Sequence, residues 1–152
     1  MTPEERLAEL GIELPSVVPP VAVYVPAVRS GNYVYTSGQL PMVAGAMAAT
    51  GKVGAEVDAD TAKDLARICA LNAIAAVKSI VGELSAVTRV VKVVGFVASA
   101  PGFTGQPQVI NGASELLGEV FGDAGRHARS AVGVAALPLD APVEVEIIVE
   151  VG

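Results

Sequence analysis

The residue whose type most clearly suggests chemistry is Arg129, the one charged residue in an apolar run from residue 129 to residue 136. A guanidinium group is a planar fork that can hold a carboxylate through two parallel hydrogen bonds. The plainer interpretation is an edge-strand charge or a structural ion pair, because most arginines in folded domains serve such roles. The sequence therefore leaves two interpretations open for Arg129, a structural charge and an anion clamp.

A second set of ionisable groups lies in the segment from Val143 to Val151, where Glu144, Glu146 and Glu150 alternate with valine and isoleucine. A period of two with β-branched residues predicts a strand that is buried on one face only. The run from residue 129 to residue 136 predicts another strand. Prolines punctuate the connection, so we predict an antiparallel hairpin that turns near Leu139 and Asp140.

The remaining elements follow from caps, breakers and periodicity. Thr2 predicts the start of a short helix that runs to about Glu9, and a proline-rich linker follows it. Next come strands at residues 21–28 and 32–37, a helix from Asp58 or Asp60 to Val81, a central strand at 87–100, and a helix at 108–121. We expect residues 1–20 to form a helix and linker, and residues 21–152 a single α+β domain.

The long helix predicted after Asp58 is apolar around most of its circumference. Lys63, Arg67 and Lys78 fall within one narrow arc, which we assign to solvent. Asn72 lies on the far side, so we expect a partly buried amide that needs hydrogen-bond partners.

Composition limits the classes of function. The chain has 152 residues and a formal net charge of −6, which argues against a general nucleic-acid binder. Hydrophobic residues make up 52 % of the sequence, which indicates either a core rich in alanine and valine or burial between subunits. No secretory signal or membrane span is expected.

The chain has one cysteine and one histidine. Cys69 lies in an apolar helical stretch, where a small buried hydrophobe is expected. A lone cysteine suits a reducing cytoplasm. His127 is either a packing residue or a catalytic one. No cluster of residues has metal-ligand spacing, so we expect no metal.

Three segments, in order, resemble the RidA/YjgF family of reactive intermediate deaminases. They are the hairpin from Tyr24 that ends in Thr-Ser-Gly-Gln-Leu-Pro, the Ala-Arg-Ser run around Arg129, and the Val-Glu-Val-Glu run that contains Glu144. The resemblance covers about residues 21–151. It implies a chorismate-mutase-like α+β fold with two main helices on one face of a mixed sheet, assembled as a homotrimer. The N-terminal helix and the long loop at residues 101–107 look like features of a subgroup.

The resemblance also implies an activity. Deaminases of this family hydrolyse enamines and imines, such as 2-aminoacrylate and 2-iminopropionate, to 2-keto acids and ammonia. It assigns Arg129 as the carboxylate clamp and Glu144 as the acid/base that positions water. The substrate-binding residues would be Tyr24, Ser37, Gly38, Asn111 and Ala131. Positioning and general-base help suffice for such a reaction. An imine is already electrophilic, so no metal or organic cofactor is required.

The sequence departs from the family pattern at three positions. Ala131 stands where many relatives carry cysteine, Ser114 where an aromatic residue is common, and His127 where a proline is often found. In the predicted hairpin, Arg129 and Glu144 are offset by about six residues, or roughly 20 Å. We therefore expect a site that two neighbouring subunits share.

Two alternatives to deamination stay open. Some relatives are assigned as endoribonucleases or translation inhibitors, but the acidic charge and the lack of a basic, aromatic surface count against nucleic acid as a partner. The other alternative is a trimer that binds a small carboxylate without catalysis, for which Arg129 alone would suffice.

Overall fold

The computed structural model describes residues 1–17 and 23–152. In these residues, three α-helices and seven strands form a mixed α+β fold, the class that was predicted. The helices are α1 (Pro3–Glu9), α2 (Ala59–Val81) and α3 (Gln106–Phe121). The strands are β1 (Ala27–Ser30), β2 (Tyr33–Thr36), β3 (Met42–Val43), β4 (Ala46–Met47), β5 (Val87–Ala98), β6 (Ala128–Val134) and β7 (Val143–Val151).

One five-stranded sheet organises the molecule, in the order β1-β2-β7-β5-β6. β5 and β6 run parallel, and the other neighbours run antiparallel. The face of the sheet toward α2 and α3 carries the buried side chains, such as Val93, Val145 and Ile147. We call this the helix face and the opposite one the open face. Strands β3 and β4 form a separate small hairpin.

The predicted pairing of the last two strands was wrong, because β5 lies between β6 and β7. The connection from residue 135 to residue 142 crosses β5 through a short 3-10 turn in which Leu139 and Asp140 have φ of 58° and 56°. β5 is a long valine-rich strand that must bond neighbours on both edges to satisfy its backbone. Alternation in a sequence reports which face a side chain occupies and does not identify the partner strand.

Two element boundaries also differ from the predictions. The first strand begins at Ala27, while Val23, Tyr24 and Val25 lie outside any strand and residues 21 and 22 lie outside the described part of the chain. Pro26 supplies the physical reason, because proline cannot donate to a ladder. The helix predicted from residue 108 begins at Gln106, since a proline at position 107 is tolerated in the first turn.

The predicted ends of α2 are confirmed. The Asp58 side chain accepts a hydrogen bond from the Thr61 backbone N–H at 2.7 Å, and Gly82 ends the helix. Cys69 is fully buried within α2, as expected, and burial raises the pKa of its thiol. Asn72 finds its partners by donating to the backbone carbonyls of Leu40 and Met42 at 3.0 and 3.1 Å.

The basic arc of α2 lies at the half-exposed rim of its contacts with neighbouring helices, so the predicted solvent face is confirmed only in part. Lys63 and Arg67 bond Glu115 and Glu119 of α3, at 3.2 and 2.8 Å. Lys78 bonds Glu4 of α1 at 2.9 Å. At this rim the long side chains cover apolar surface with their methylene groups, while their charged ends stay hydrated.

The N-terminal helix α1 is anchored to the domain by both polar and apolar contacts. The Thr2 hydroxyl accepts from the Glu5 backbone N–H, and the Glu5 carboxylate accepts from that of Thr2, both at 3.1 Å. This reciprocal pair is a capping box. The Glu4 carboxylate accepts from the Leu84 backbone N–H at 2.7 Å, and Leu7 is buried in the core. None of the helices in residues 1–17 and 23–152 is long and apolar enough to cross a membrane.

Helices α2 and α3 approach closely at Gly112. A Cβ atom at this position would overlap the backbone carbonyl of Lys63, and a backbone atom cannot rotate aside as a side chain can. Gly118 lies on the same helix with open space around it. The helix contact behind the site residues of α3 therefore depends on the absence of a side chain at position 112.

We predict that Gly112→Ala lowers the free energy of unfolding by about 1–3 kcal/mol, because the helices must separate to admit the methyl group. Urea unfolding at one fixed protein concentration measures the change. Gly118→Ala is the matched control, and we expect it to raise the stability by up to about 1 kcal/mol through helix propensity. Equal effects of the two substitutions would contradict the close contact.

Candidate active site

Arg129 lies on the helix face of the edge strand β6. It pairs with Val93 of β5, which pairs in turn with Ile147 of β7, so the three side chains share one face. The guanidinium Nη1 donates to Asn111 Oδ1 at 2.8 Å and to Ser114 Oγ at 3.2 Å. Asn111 and Ser114 are three residues apart on α3, so they face the strand together.

The hydrogen bonds of Arg129 leave part of the guanidinium for another partner. Both recorded side-chain bonds engage Nη1, and within residues 1–17 and 23–152 neither Nε nor Nη2 has a recorded bond. No carboxylate of these residues forms a salt bridge with Arg129. The structural ion pair is therefore not found in the described part of the chain, and the Nε–Nη2 edge is arranged as a carboxylate would need it.

His127 lies on the same side as Arg129, as strand alternation predicts. Its Nε2 lies 2.9 Å from Ser114 Oγ, and its Nδ1 lies 2.6 Å from the carbonyl oxygen of Gly125. Sequence reasoning identified Ser114 as a departure from the family pattern that would open the pocket, and it did not predict the bond to Arg129. Its contact with Arg129 could not be predicted, because no sequence pattern reports which helix turn lies over which strand residue.

Glu144 lies on the open face of β7, opposite Phe96 of β5. The side chain is half-buried. Burial raises the pKa of the Glu144 carboxyl, and the neighbouring Glu146 carboxylate raises it further. A carboxylate with a raised pKa is a stronger proton acceptor than an ordinary carboxylate.

A local irregularity of β2 brings Ser37 and Gly38 to Glu144. Between the Tyr35–Ile148 pair and the Gln39–Val145 bridge, the β2 side has three residues and the β7 side has two. The Thr36 hydroxyl fills the gap by accepting from the Ile147 backbone N–H at 3.0 Å and donating to the Ile147 carbonyl at 3.4 Å. The chain therefore bulges out of the ladder at residues 37 and 38.

Gly38 accommodates the Glu144 side chain. A Cβ atom at position 38 would overlap the Glu144 carboxylate, so glycine permits the carboxylate to rest against the backbone. The Ser37 hydroxyl donates to the carbonyl oxygen of Val25 at 2.6 Å. Tyr24, which immediately precedes Val25, is largely exposed. The hydrogen bond of Ser37 thus connects the segment that contains Tyr24 to the bulge after β2 that contains Gly38.

The predicted site residues, together with Ser114, which was not predicted, form two separate groups. We define the arginine half-site as Arg129, Asn111 and Ser114, and the glutamate half-site as Ser37, Gly38 and Glu144. Ala131 follows Arg129 on the helix face and pairs with Gly95.

The two half-sites lie on opposite faces of one sheet. Arg129 is in register with Val93 and Glu144 with Phe96, which is an offset of about 10 Å along the strands and about 10 Å across them. These two offsets combine to about 14 Å, which replaces the estimate of roughly 20 Å that rested on the wrong hairpin. One chain therefore does not bring Arg129 and Glu144 to one small substrate.

The family follows from comparison with known proteins. A family model described as “YjgF/chorismate mutase-like, putative endoribonuclease” matches residues 4–151. The chain belongs to the YjgF/RidA family. Its sheet and paired helices are the family's fold, and α1 agrees with the extra N-terminal helix noted in the sequence. In the part of the chain that the structure describes, no three His, Cys, Asp or Glu residues are grouped to hold a metal ion.

Several relatives resemble the chain over nearly its whole length. Protein TCP17 of Trypanosoma cruzi is 47 % identical over 148 residues, which is 95 % of this chain and 91 % of that protein. The crystal structure of Atu1372 from Agrobacterium tumefaciens, of unknown function, is 52 % identical, with a TM-score of 0.92 over 99 % of this chain and 92 % of that one.

Two further YjgF/RidA structures carry functional descriptions. A Shewanella oneidensis MR-1 protein with the same endoribonuclease description as the family is 34 % identical, with a TM-score of 0.95 over 99 % of this chain and 100 % of that one. Escherichia coli TdcF, with bound serine, is 27 % identical, with a TM-score of 0.63 over 90 % of this chain and 94 % of that one.

The raised pKa of Glu144 predicts a pH-dependent cost to stability. The folded protein holds this proton more tightly than the unfolded chain, so the ionised carboxylate opposes folding. The cost is present above the raised folded pKa and is absent below the ordinary carboxyl pKa. Glu144→Gln should therefore raise the urea midpoint at about pH 7.5 and leave it nearly unchanged at about pH 3.5. Glu150→Gln on the same strand is the control, and an equal gain from it would contradict the assignment.

Proposed function

We propose that the protein is a hydrolytic deaminase of reactive enamines and imines of the 2-aminoacrylate and 2-iminopropionate type, which releases a 2-keto acid and ammonia. The observation that carries the proposal is the arginine half-site. In the described part of the chain, the Arg129 guanidinium is held by two neutral groups at Nη1 and forms no salt bridge with a carboxylate. The serine bound to TdcF, a relative with the same fold, supports a small amino-acid-like carboxylate as the ligand.

The proposed reaction follows from the charges of the two half-sites. Arg129 holds the substrate carboxylate, and Glu144 accepts a proton from water as its oxygen attacks the carbon of the protonated imine, whose nitrogen carries two hydrogens. The resulting carbinolamine has both a hydroxyl and an amino group on that carbon. Glu144 returns its proton to the nitrogen, the C–N bond breaks, and the hydroxyl becomes the ketone as it loses its proton to solvent. One water is consumed and one ammonia leaves.

We propose that two subunits of a homotrimer complete each site, one through Arg129 and its neighbour through Glu144. The opposite orientation of the half-sites supports sharing. The open face supports contact between subunits, because apolar side chains line it that a single chain leaves partly exposed. They are Val28, Tyr33, Tyr35 and Val132.

The other site residues receive roles by their positions in this proposal. Asn111 fixes the guanidinium, the backbone at Ala131 continues the same strand toward the imine, and Ser37 and Gly38 position the carboxyl of Glu144. Tyr24 is exposed in the single chain, as expected of a side chain that closes a pocket on a neighbouring subunit. We place this chemistry in the cytoplasm, where Cys69 stays reduced.

Endoribonuclease activity is the second candidate, since the family and the Shewanella oneidensis relative carry that description. The charges count against it. The formal net charge is −6, and Lys52, Lys63, Arg67 and Lys78 already pair with carboxylates. A binder of small carboxylates without catalysis would need Arg129 but not Glu144. Cleavage of RNA that survives Arg129→Ala would favour the nuclease.

The deaminase proposal predicts separate effects for the two half-sites. With 2-aminoacrylate generated in situ, wild type should accelerate release of ammonia and keto acid. Arg129→Ala should lower kcat/KM by about a hundredfold or more, because a bidentate charged contact is lost. Glu144→Gln should lower kcat by about a hundredfold or more while the Kd for pyruvate changes less than about threefold.

Arg126→Ala and Glu150→Gln serve as matched controls, since Arg126 lies three residues before Arg129, Glu150 lies on the same strand as Glu144, and neither belongs to a half-site. No acceleration by folded wild-type protein would refute the deaminase. Glu144→Gln with full activity would instead favour a simple binder.

Sharing between subunits predicts complementation. Subunits of Arg129→Ala and Glu144→Gln, unfolded together and refolded at equal amounts, should recover up to about a quarter of wild-type activity. In a randomly mixed ring about one interface in four joins an intact arginine to an intact glutamate. Each variant refolded alone is the control. Mixtures no more active than the separate variants would place both residues in one subunit's site.

A further inference from the structure

The arginine half-site extends into a chain of hydrogen bonds that ends at a backbone carbonyl. Arg129 Nη1 donates to Ser114 Oγ at 3.2 Å, Ser114 Oγ lies 2.9 Å from His127 Nε2, and His127 Nδ1 lies 2.6 Å from the Gly125 carbonyl oxygen. All of these groups are partly or fully buried. The chain of contacts therefore links the loop before β6 to the clamp on β6 through one residue of α3.

Counting donors and acceptors assigns the protons of this chain for the neutral form of the His127 ring. A carbonyl oxygen can only accept, so His127 Nδ1 carries hydrogen and donates to Gly125. In the neutral ring Nε2 then accepts, and the Ser114 hydroxyl donates to it. Because the Ser114 hydroxyl hydrogen bonds His127 Nε2, the Ser114 oxygen accepts from Arg129 Nη1–H through its lone pairs. The Nδ1–H tautomer is the neutral form that satisfies all three contacts.

We propose that Ser114 and His127 are positioning residues that hold Arg129 in the orientation needed to bind the substrate carboxylate. This inference rests on the proposed function. His127 fixes the direction of the Ser114 hydroxyl, and Ser114 joins Asn111 in fixing Nη1. An arginine side chain is long and flexible, so fixing one end of its fork beforehand lowers the entropy lost when the ligand binds.

The chemistry of these partners suits a clamp better than a structural ion pair. The amide of Asn111 and the hydroxyl of Ser114 orient the guanidinium and do not neutralise it, whereas a carboxylate at the same place would compete with the ligand. Ser114 and His127 are both departures from the family pattern, and they contact each other. The two departures thus act as one unit in this chain.

Pyruvate binding tests the proposal directly. Ser114→Ala should raise the Kd for pyruvate about three- to thirtyfold, and Ser114→Thr, which keeps the hydroxyl, should restore most of the affinity. In an Arg129→Ala background the effect of Ser114→Ala should shrink below about twofold, because the serine acts through the arginine. Ser79→Ala, a serine on α2 that bonds Ala76, is the matched control.

Steady-state kinetics should show the same dependence. Ser114→Ala and His127→Phe should raise KM for the imine while kcat stays within about threefold of wild type, as expected when a substrate-binding contact is weakened. A fall in kcat alone, or an equal loss in the Arg129→Ala background, would overturn the positioning role.

The tautomer gives a readout that needs no activity. His127 is the only histidine, so its ring ¹⁵N signals are unambiguous. Near neutral pH they should report Nδ1–H in wild type and in Ser79→Ala, with a shift toward mixed tautomers in Ser114→Ala. A wild-type ring with Nε2–H would overturn the assignment.

The outcomes also separate this inference from the deaminase proposal. Wild type that binds pyruvate and releases keto acid, with Ser114→Ala unchanged in both, refutes the positioning pair alone. Wild type that does neither refutes the clamp and the pair together.

Discussion

The pairing of β5 with β6 on one edge and β7 on the other determines which side of the sheet each candidate residue occupies. Residues paired in register share a face of the sheet. Arg129 and Ile147 both pair with Val93 and lie on the helix face, whereas Glu144 pairs with Phe96 and lies on the open face. A shift of one residue in either ladder would reverse that assignment. The separation of the half-sites is therefore a property of the backbone ladder, with the side chains following from it.

The two half-sites carry opposite charges, and neither charge is neutralised within its own half-site. The guanidinium is held by groups without charge, so its charge remains available. The Glu144 carboxyl is half-buried beside Glu146, so its charged form lacks compensation. The arginine half-site has no proton acceptor, and the glutamate half-site has no cation. An anionic substrate between them would lie between a fixed cation and a proton acceptor.

Local signals and long-range contacts differed in how far the sequence could predict them. Thr2, Asp58 and Gly82 mark helix ends through their own backbone and side-chain chemistry, and the structure agrees at all three. The partner of β7 depends on competition between whole strands. Alternation therefore predicted correctly that Glu144 lies on a strand, but the predicted neighbouring strand, β6, was wrong. The resemblance to a family named Asn111. The contacts of Ser114 with both Arg129 and His127 need the packing of α3 over β6, which no spacing along the chain encodes.

The place of β7 in the sheet also bears on how the chain acquires its structure during synthesis. β7 is the last of the strands along the chain, yet it lies between β2 and β5 near the centre of the sheet. Val34 of β2 pairs with Val149, and Val90 of β5 pairs with the same residue. The early hairpin and β5 thus have no common neighbour while the ribosome is still making the chain. Pairing between segments far apart in sequence slows folding and leaves strand edges unpaired until the last strand is made. Until Val151 has left the ribosome, the valine-rich β5 is therefore exposed to aggregation with other chains.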